Sequence, residues 1–383
     1  PYLTNAYLSD AAARALVKIN TTDAQAALLN ALAAADNNIK ITLVEALGDA
    51  QYTPAAAAIA SYATSADNKL AKVSLYALAH IADPSSAKVL AAAAAKSGYT
   101  YDVTNATTSY LQYASSLADK NAAAKIAKDL LGKTTTPSQV HVRTAALKLL
   151  TAVNPEKAIP QLSAAVNSKE PEYRDAALKF IGQYGLAGNA AWLKALGGSD
   201  NANKAAVIDM LGSNKIAAAL PAVTKLVNSK NEEVKLAAVK AAGQIGGTQS
   251  LPALLAVMKS GDAGTIDAVK NALLIMPGTE VVNQSAAAIA SMPPAAQSAL
   301  VTVFHSAITL EEAANKVKEV LALTESSDAT VRSSAISALK DVASKSSLSS
   351  LYALLSSSQN KADIKNVQQA IVNSGVSDTE IMT

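Results

Sequence analysis

Apolar residues recur along the chain at helical spacing, and the helices they predict are short and paired. The clearest stretch is Glu233-Val234-Lys235-Leu236-Ala237-Ala238-Val239-Lys240-Ala241-Ala242-Gly243, where the apolar positions return every three to four residues. The same arrangement of a polar entry, a small apolar stripe and a stop returns throughout the sequence. An anchor placed just after the first apolar residue falls at Ser9, Lys40, Ala71, Val103, Arg143, Arg174, Lys204, Lys235, Thr265, Ala296, Arg332 and Lys365. Steps from Arg143 to Lys235 are 31, 30 and 31 residues, a period that signals stacked supersecondary units. Each unit reads as two helices, because one thin hairpin cannot bury its own apolar face.

The punctuation fits that reading. Asp36, Asp67, Asp200, Asn231 and Asp328 stand four residues before an anchor, where a side-chain oxygen can accept from the free amides of a first helical turn. Gly48, Gly182, Gly212 and Gly246 follow the second helix and are expected to stop it. Ile159-Pro160, Leu220-Pro221 and Leu251-Pro252 place proline near the start of a first helix, in a turn that tolerates it. The steps around Val103 and before Arg332 are irregular.

These residues resemble HEAT repeats. Asp328-Ala329-Thr330-Val331-Arg332-Ser333-Ser334-Ala335 and Glu233 to Ala238 are similar to the family's second helix. Leu220 to Val223 and Leu251 to Leu254 are similar to its first. The short period resembles the HEAT-like subtype named after phycobilisome lyases. The resemblance is strongest from Val140 to Leu255 and weakest from Tyr99 to Tyr113. It implies an all-α fold, a right-handed α-solenoid of about twelve stacked helix pairs. It also implies a scaffold or binding surface formed by the second helices, and a ladder of Asp–Arg pairs between repeats. Lys replaces Arg in many copies here, so the ladder is expected to be interrupted. The expected organisation is one solenoid over 1–383, irregular near 97–135, with a capping repeat over 344–383.

Composition narrows the function classes. Half of the 383 residues are hydrophobic, 16% are charged and the net charge is +3, which excludes a disordered polyelectrolyte. The alanine-rich stretch from Ala55 to Ala95 is broken by Asp67, Lys69, Lys72, Asp83 and Lys88, so no membrane span is expected there. There is no Cys, hence no disulfide and no thiolate ligand or nucleophile. Arg is confined to positions 14, 143, 174 and 332, which speaks against phosphate recognition by bidentate forks. The first residue is Pro1, which suggests a processed form or a segment of a larger protein. An exported or periplasmic location is the favoured expectation.

Catalytic constellations are missing from the sequence. His80 and His305 occupy one phase but lie seven repeats apart, too far to share a metal; His141 stands alone. Gly182, Gly185 and Gly188 follow a helix instead of a strand, the wrong context for a dinucleotide turn. Glu232/Glu233 and Glu311/Glu312 are sequence neighbours and diverge on a helix. No enzyme activity, metal or cofactor is expected from this chain.

One position has surface meaning. Five residues after the anchor come Lys148, Lys179, Lys240 and Lys270, with Asp209 interrupting and Glu45 and Tyr76 earlier. Equal phases in successive repeats should line one face, so Lys148, Lys179, Lys240, Lys270 and Tyr76 are the candidate partner-binding residues. A lysine strip suits a protein or an acidic polymer, although a solvated face is the plainer account of it. Nine of twelve tyrosines fall in the first third. Tyr99, Tyr101, Tyr110 and Tyr113, at the irregular repeat, are expected to fill gaps in its packing, and Phe180 and Trp192 to belong to the core. Leu348, Leu351, Leu354 and Leu355 give the serine-rich stretch from Ser344 to Ser358 a helix with a polar back.

The leading functional expectation is a noncatalytic scaffold or protein-interaction module within a larger protein. The alternatives are an accessory solenoid of a bacterial sugar-active hydrolase and a nucleic-acid-binding HEAT-like protein.

Overall fold

Alanine-rich segments with polar entries should form helices that approach closely, and they do. The computed structural model of the chain describes residues 2–198, 200–276, 279–307 and 310–377, with only the backbone at 198 and 304–316. Among the described residues every regular element is helical: 23 α-helices and short 3-10 turns.

The expected caps close as their chemistry requires. The carboxylates of Asp36 and Asp200 accept from the amides of Ile39 at 3.0 Å and Asn203 at 2.9 Å. Those of Asp67 and Asp328 accept from Lys69 at 2.9 Å and Thr330 at 2.8 Å, and the Asn231 side chain accepts from Val234 at 3.0 Å. Asp119, Asp262 and Asn360 cap further helices in the same way.

Packing divides the helices into two units, one ending at Leu186 and one beginning at Ala187. In the first, the second helices of successive repeats are Ser9–Ile19, Asn37–Asp49, Asn68–Ile81, Ala106–Ser116, Val140–Val153 and Pro171–Gln183, each packed on the next. In the second, the series is Asn201–Ser213, Glu232–Ile245, Ala263–Ile275, Pro294–Ala307, Ala329–Val342 and Lys361–Asn373. The remaining helices pack on these from the other side, and Leu28, Leu43, Leu47, Leu75, Leu78 and Leu90 are fully buried between the layers of the first unit. Trp192 and Phe180 are core residues, as expected.

The glycines required correction. Gly246 does stop its helix, at φ 79°. Gly48, Gly182 and Gly212 instead lie within the helices Asn37–Asp49, Pro171–Gln183 and Asn201–Ser213. A Cβ on Gly48 would stand 2.7 Å from the Ala77 Cα. At Gly212 it would meet the Ala241 Cα at 2.7 Å, and at Gly243 the Ala272 Cα at 2.7 Å. These positions are glycine because the next second helix runs directly over them.

Pro160 also departs from expectation. Pro221 and Pro252 sit at the starts of Leu220–Leu226 and Leu251–Ser260, each behind a 3-10 turn. Pro160 lies inside Pro155–Val166. There Asn154 caps the helix and Pro155 opens it, so the stretch that is a 3-10 turn elsewhere is already α-helical.

The irregular repeat has a physical cause. Between Ala87–Lys96 and Ala106–Ser116 the chain passes through Gly98, Tyr99 and Asn105, all at positive φ. The Asp102 carboxylate accepts from the Thr104 and Ala106 amides, both at 2.9 Å. Burial pushes this carboxyl up, but those bonds and the Thr104 hydroxyl together hold it below its usual range. The anchor expected at Val103 thus falls in this connection, 60% exposed, and the helical equivalent is Ser109. Tyr110 and Tyr113 are buried and stacked, ring centroids 6.5 Å apart, as gap-filling requires, whereas Tyr101 is 81% exposed. In the serine-rich stretch, Leu348–Ser357 buries Leu351 and exposes Ser349, Ser350, Ser356 and Ser357.

Overpacking a close helix crossing costs about 1–3 kcal/mol, whereas Gly→Ala at an open helical site is neutral or stabilising by up to about 1 kcal/mol. Gly48→Ala is therefore expected to lower stability by that first amount in urea unfolding. Gly132→Ala, whose Cβ would meet nothing within 4 Å, is expected not to. Equal effects of the two substitutions would contradict the crossing.

Candidate functional site

Within each unit the phase five residues after the anchor is solvent-facing: Glu45, Lys148 and Lys179 are exposed and Tyr76 half-buried in the first, Lys240 is exposed and Asp209 and Lys270 half-buried in the second. The Tyr76 hydroxyl donates to the Asp49 carboxylate at 2.7 Å, from one second helix to the one before it. In the other unit the Lys240 ammonium donates to Asp209 at 2.8 Å, again between neighbouring second helices. Lys240 and Asp209 share one phase, whereas Tyr76 bonds Asp49, one turn past the equal-phase Glu45.

The lysines of the row differ in their surroundings. Lys148 and Lys179 are exposed on Val140–Val153 and Pro171–Gln183, with no carboxylate partner among the described residues. Lys240 is paired with Asp209, and Lys270 with Asp267 on its own helix. The Lys270 bond and charge hold the Asp267 carboxyl below its usual range. The second unit's part of the row is locally neutralised, which the count of lysines did not reveal.

Tyr76 lines a groove of about 520 Å³ built by three consecutive second helices of the first unit. Asn37–Asp49 contributes Ile41 and Glu45. Asn68–Ile81 contributes Lys69, Lys72, Val73, Tyr76, Ala79 and His80. Thr108, Ser109 and Gln112 come from Ala106–Ser116, with Asn105 just ahead of it. The volume lies in the range of ligand-binding clefts. Helical spacing explains the set, since Lys69, Lys72, Val73, Tyr76 and His80 are three or four residues apart and share one face. Tyr76 and Glu45 were legible through the repeat phase. Lys69, Lys72 and Gln112 were not, because they belong to other phases that converge here.

Local bonds order the groove. The Tyr76 and His80 rings lie 4.0 Å apart, and His80 Nδ1 is 3.1 Å from the Tyr76 carbonyl oxygen. The Gln51 side-chain amide donates to the His80 carbonyl at 3.1 Å. Burial, then the bond to Asp49 and the charges of Asp49 and Glu45, push the Tyr76 hydroxyl up to about 12. Tyr76 is therefore a neutral donor in the groove wall. Lys69 and Lys72 are exposed with no ion-pair partner among the described residues.

A second polar contact joins repeats. Arg143 reaches from Val140–Val153 to Glu170, which precedes the next second helix, and lies over the Tyr173 ring at 4.7 Å. This is one rung of the expected ladder. Lys235 makes a weaker one: the Thr265 amide chiefly holds the Asp262 carboxyl below its usual range, and the Lys235 charge adds to it. Burial raises Tyr173 to about 12, opposed by Arg143 and assisted by Glu170.

Among the described residues no group of three or more His, Asp or Glu side chains is placed to hold a metal, and no helix is long and apolar enough to cross a membrane. His141 is exposed. The side chains of His305, Glu311 and Glu312 lie outside the described residues.

Residues 189–273 match a family model described as HEAT repeats. No curated protein matches the chain. Solved structures of the karyopherin Kap121p share its fold. Kap121p itself is 12% identical with a TM-score of 0.54, covering 97% of this chain and 48% of that one. Kap121p bound to the extreme C-terminus of the protein phosphatase Cdc14p gives 12% and 0.53, and Kap121p bound to RanGTP gives 13% and 0.52, with the same coverage. The chain thus spans about half the length of these structures, and at such identity the likeness is one of fold.

Both raised tyrosines bear on stability. An unfolded tyrosine ionises near pH 10. Below that pH Tyr76 and Tyr173 are protonated in both states, and their contribution is complete. Between about 10 and about 12 the unfolded chain loses its protons first, so the folded state loses stability as pH rises. A tyrosinate absorbance titration is expected to show late-ionising groups that Tyr76→Phe and Tyr173→Phe each reduce. Each substitution should also flatten the fall of stability over that window; unchanged curves would rule out the buried hydroxyls.

Proposed function

We propose that this chain, which carries HEAT repeats, is a noncatalytic interaction module that holds a partner protein on the outward row of its second helices. The groove at Tyr76 is its principal contact and Lys148 and Lys179 an additional one. The observation that carries this reading is the groove itself: three repeats converge on an open, partly apolar cleft that includes the exposed Lys69 and Lys72. A scaffold needs such a surface and no proton-transfer pair or nucleophile. Protein partners are named for the structural neighbour Kap121p, which supports the class of ligand and not its identity. A nucleic-acid reading is less favoured, because Asp209 and Asp267 sit among the lysines of the row and a phosphate backbone would be repelled there. Within this reading, residues 1–383 serve together as a single array.

Selection of a displayed random-peptide library on the immobilised chain tests the proposal. Enriched peptides are expected to lose about tenfold or more of their affinity for Val73→Trp or Gln112→Trp, with helix content and melting temperature unchanged. No enrichment over a blank surface, or enrichment insensitive to both substitutions, would remove the groove as a contact.

A further inference from the structure

The groove also has a polarity that specifies its occupant. Its charged lining is uneven: Lys69 and Lys72 against Glu45 alone. Three further carboxylates stand near the groove without lining it: Asp49 accepts the Tyr76 hydroxyl, and Asp67 and Asp102 accept first-turn amides of the Lys69 and Asn105 helix ends. The two ammonium groups stand in the first turns of Asn68–Ile81, whereas Glu45 lies in the later half of Asn37–Asp49. The lining of that end is therefore cationic, and among the described residues neither lysine is held in an ion pair. Between the ends, Ile41 and Val73 are half-buried apolar side chains. Opposite them, Gln112 and Asn105 offer side-chain amides able to donate and accept.

Dimensions select the form of the ligand. Neighbouring packed helices lie about 8–10 Å apart, so three span roughly 16–20 Å, the length of about five or six extended residues. A compact small molecule would leave one end of such a cleft in water. An extended chain can set a carboxylate on Lys69 and Lys72, an apolar side chain over Ile41 and Val73, and its own backbone amides against Gln112 and Asn105.

Resting on the groove's role as an interaction site, we propose that it binds an extended acidic segment of a partner protein, with Lys69 and Lys72 reading the acidic side chains and Ile41 and Val73 an adjacent apolar one. Lys148 and Lys179, on other helices, are not part of this contact. The lysines act by charge and set which segment is accepted; the apolar floor and side-chain amides hold any extended chain.

The test uses the whole chain and compares the charge of the peptides it selects. From a random displayed library, the wild-type chain is expected to enrich peptides carrying adjacent Asp or Glu next to a large apolar residue. The Lys69→Glu/Lys72→Glu double variant is expected to enrich basic peptides instead. An enriched acidic peptide, synthesised with a fluorescein label, should bind the double variant about tenfold more weakly and weaken with added salt. Both lysines are exposed, so circular dichroism should show the fold retained. If the enriched peptides are neutral or basic yet still lose affinity in Val73→Trp, the groove stands as an interaction site and its acidic preference is overturned. Acidic peptides that ignore the double variant but are lost in Lys148→Glu/Lys179→Glu would also overturn it, by moving the recognition elsewhere. A chain that enriches nothing would overturn both proposals.

Discussion

Everything in this molecule depends on how closely one second helix lies on the next. A glycine in the last turns of one helix sits under an alanine of its successor: Gly48 under Ala77, Gly212 under Ala241 and Gly243 under Ala272. Helices carrying larger side chains at the crossing would stand further off and leave a void, and each missing contact loses dispersion energy outright. The alanine-rich composition follows from this. Alanine is the best helix former and the largest side chain that the partner side of such a crossing admits, so one residue type satisfies local structure and packing together. The cost is a small apolar area per residue, which is why no hairpin here could be stable alone and why leucines cluster in the layer between first and second helices.

Polar chemistry reinforces the stack where it can reach from one repeat to the next. Side-chain caps satisfy first-turn amides of the second helices that begin after Asp36, Asp67, Asp200, Asn231, Asp262, Asp328 and Asn360, and Glu170 holds that position without capping, within reach of the preceding anchor. Arg143 uses this twice, pairing with Glu170 and covering the Tyr173 ring. Lysine in the same place has a point charge and no planar face to stack, and Lys235 accordingly pairs with Glu232 on its own helix at 2.6 Å while acting on Asp262 only through space. A ladder read from capping acids and anchor cations is thus real where the cation is Arg143, and attenuated at Lys235.

The repeat, the helical class and the caps were legible because each rests on local chemistry: an Asp before an apolar stripe caps a helix wherever it occurs. The glycines misled for the opposite reason. Gly246 and Gly48 look alike in sequence, one following and one ending an apolar stripe, but the first needs positive φ and the second needs space for Ala77, which belongs to a different repeat. Pro160 misled because Asn154 and Pro155 start its helix early, a competition between two start signals that composition does not rank. Of the groove, Tyr76 and Glu45 could be read from phase. Lys69, Lys72, Asn105 and Gln112 could not, since they hold other phases and the irregular connection displaces the start of Ala106–Ser116 along the sequence past the expected anchor.

That displacement ties the groove to the packing rule. At the step from Asn37–Asp49 to Asn68–Ile81, Gly48 allows the two helices to close. At the next step the equivalent position is Ala79, a buried residue that lines the groove. The connection carrying Gly98, Tyr99 and Asn105 at positive φ puts extra chain ahead of the following helix, whose Tyr110 and Tyr113 rings are buried. The break in period, the buried tyrosines and the cleft lie together, between Asn37–Asp49 and Ala106–Ser116. A solenoid can in this way line a cleft with side chains of three successive second helices, while the crossings at Gly48, Gly212 and Gly243 stay close.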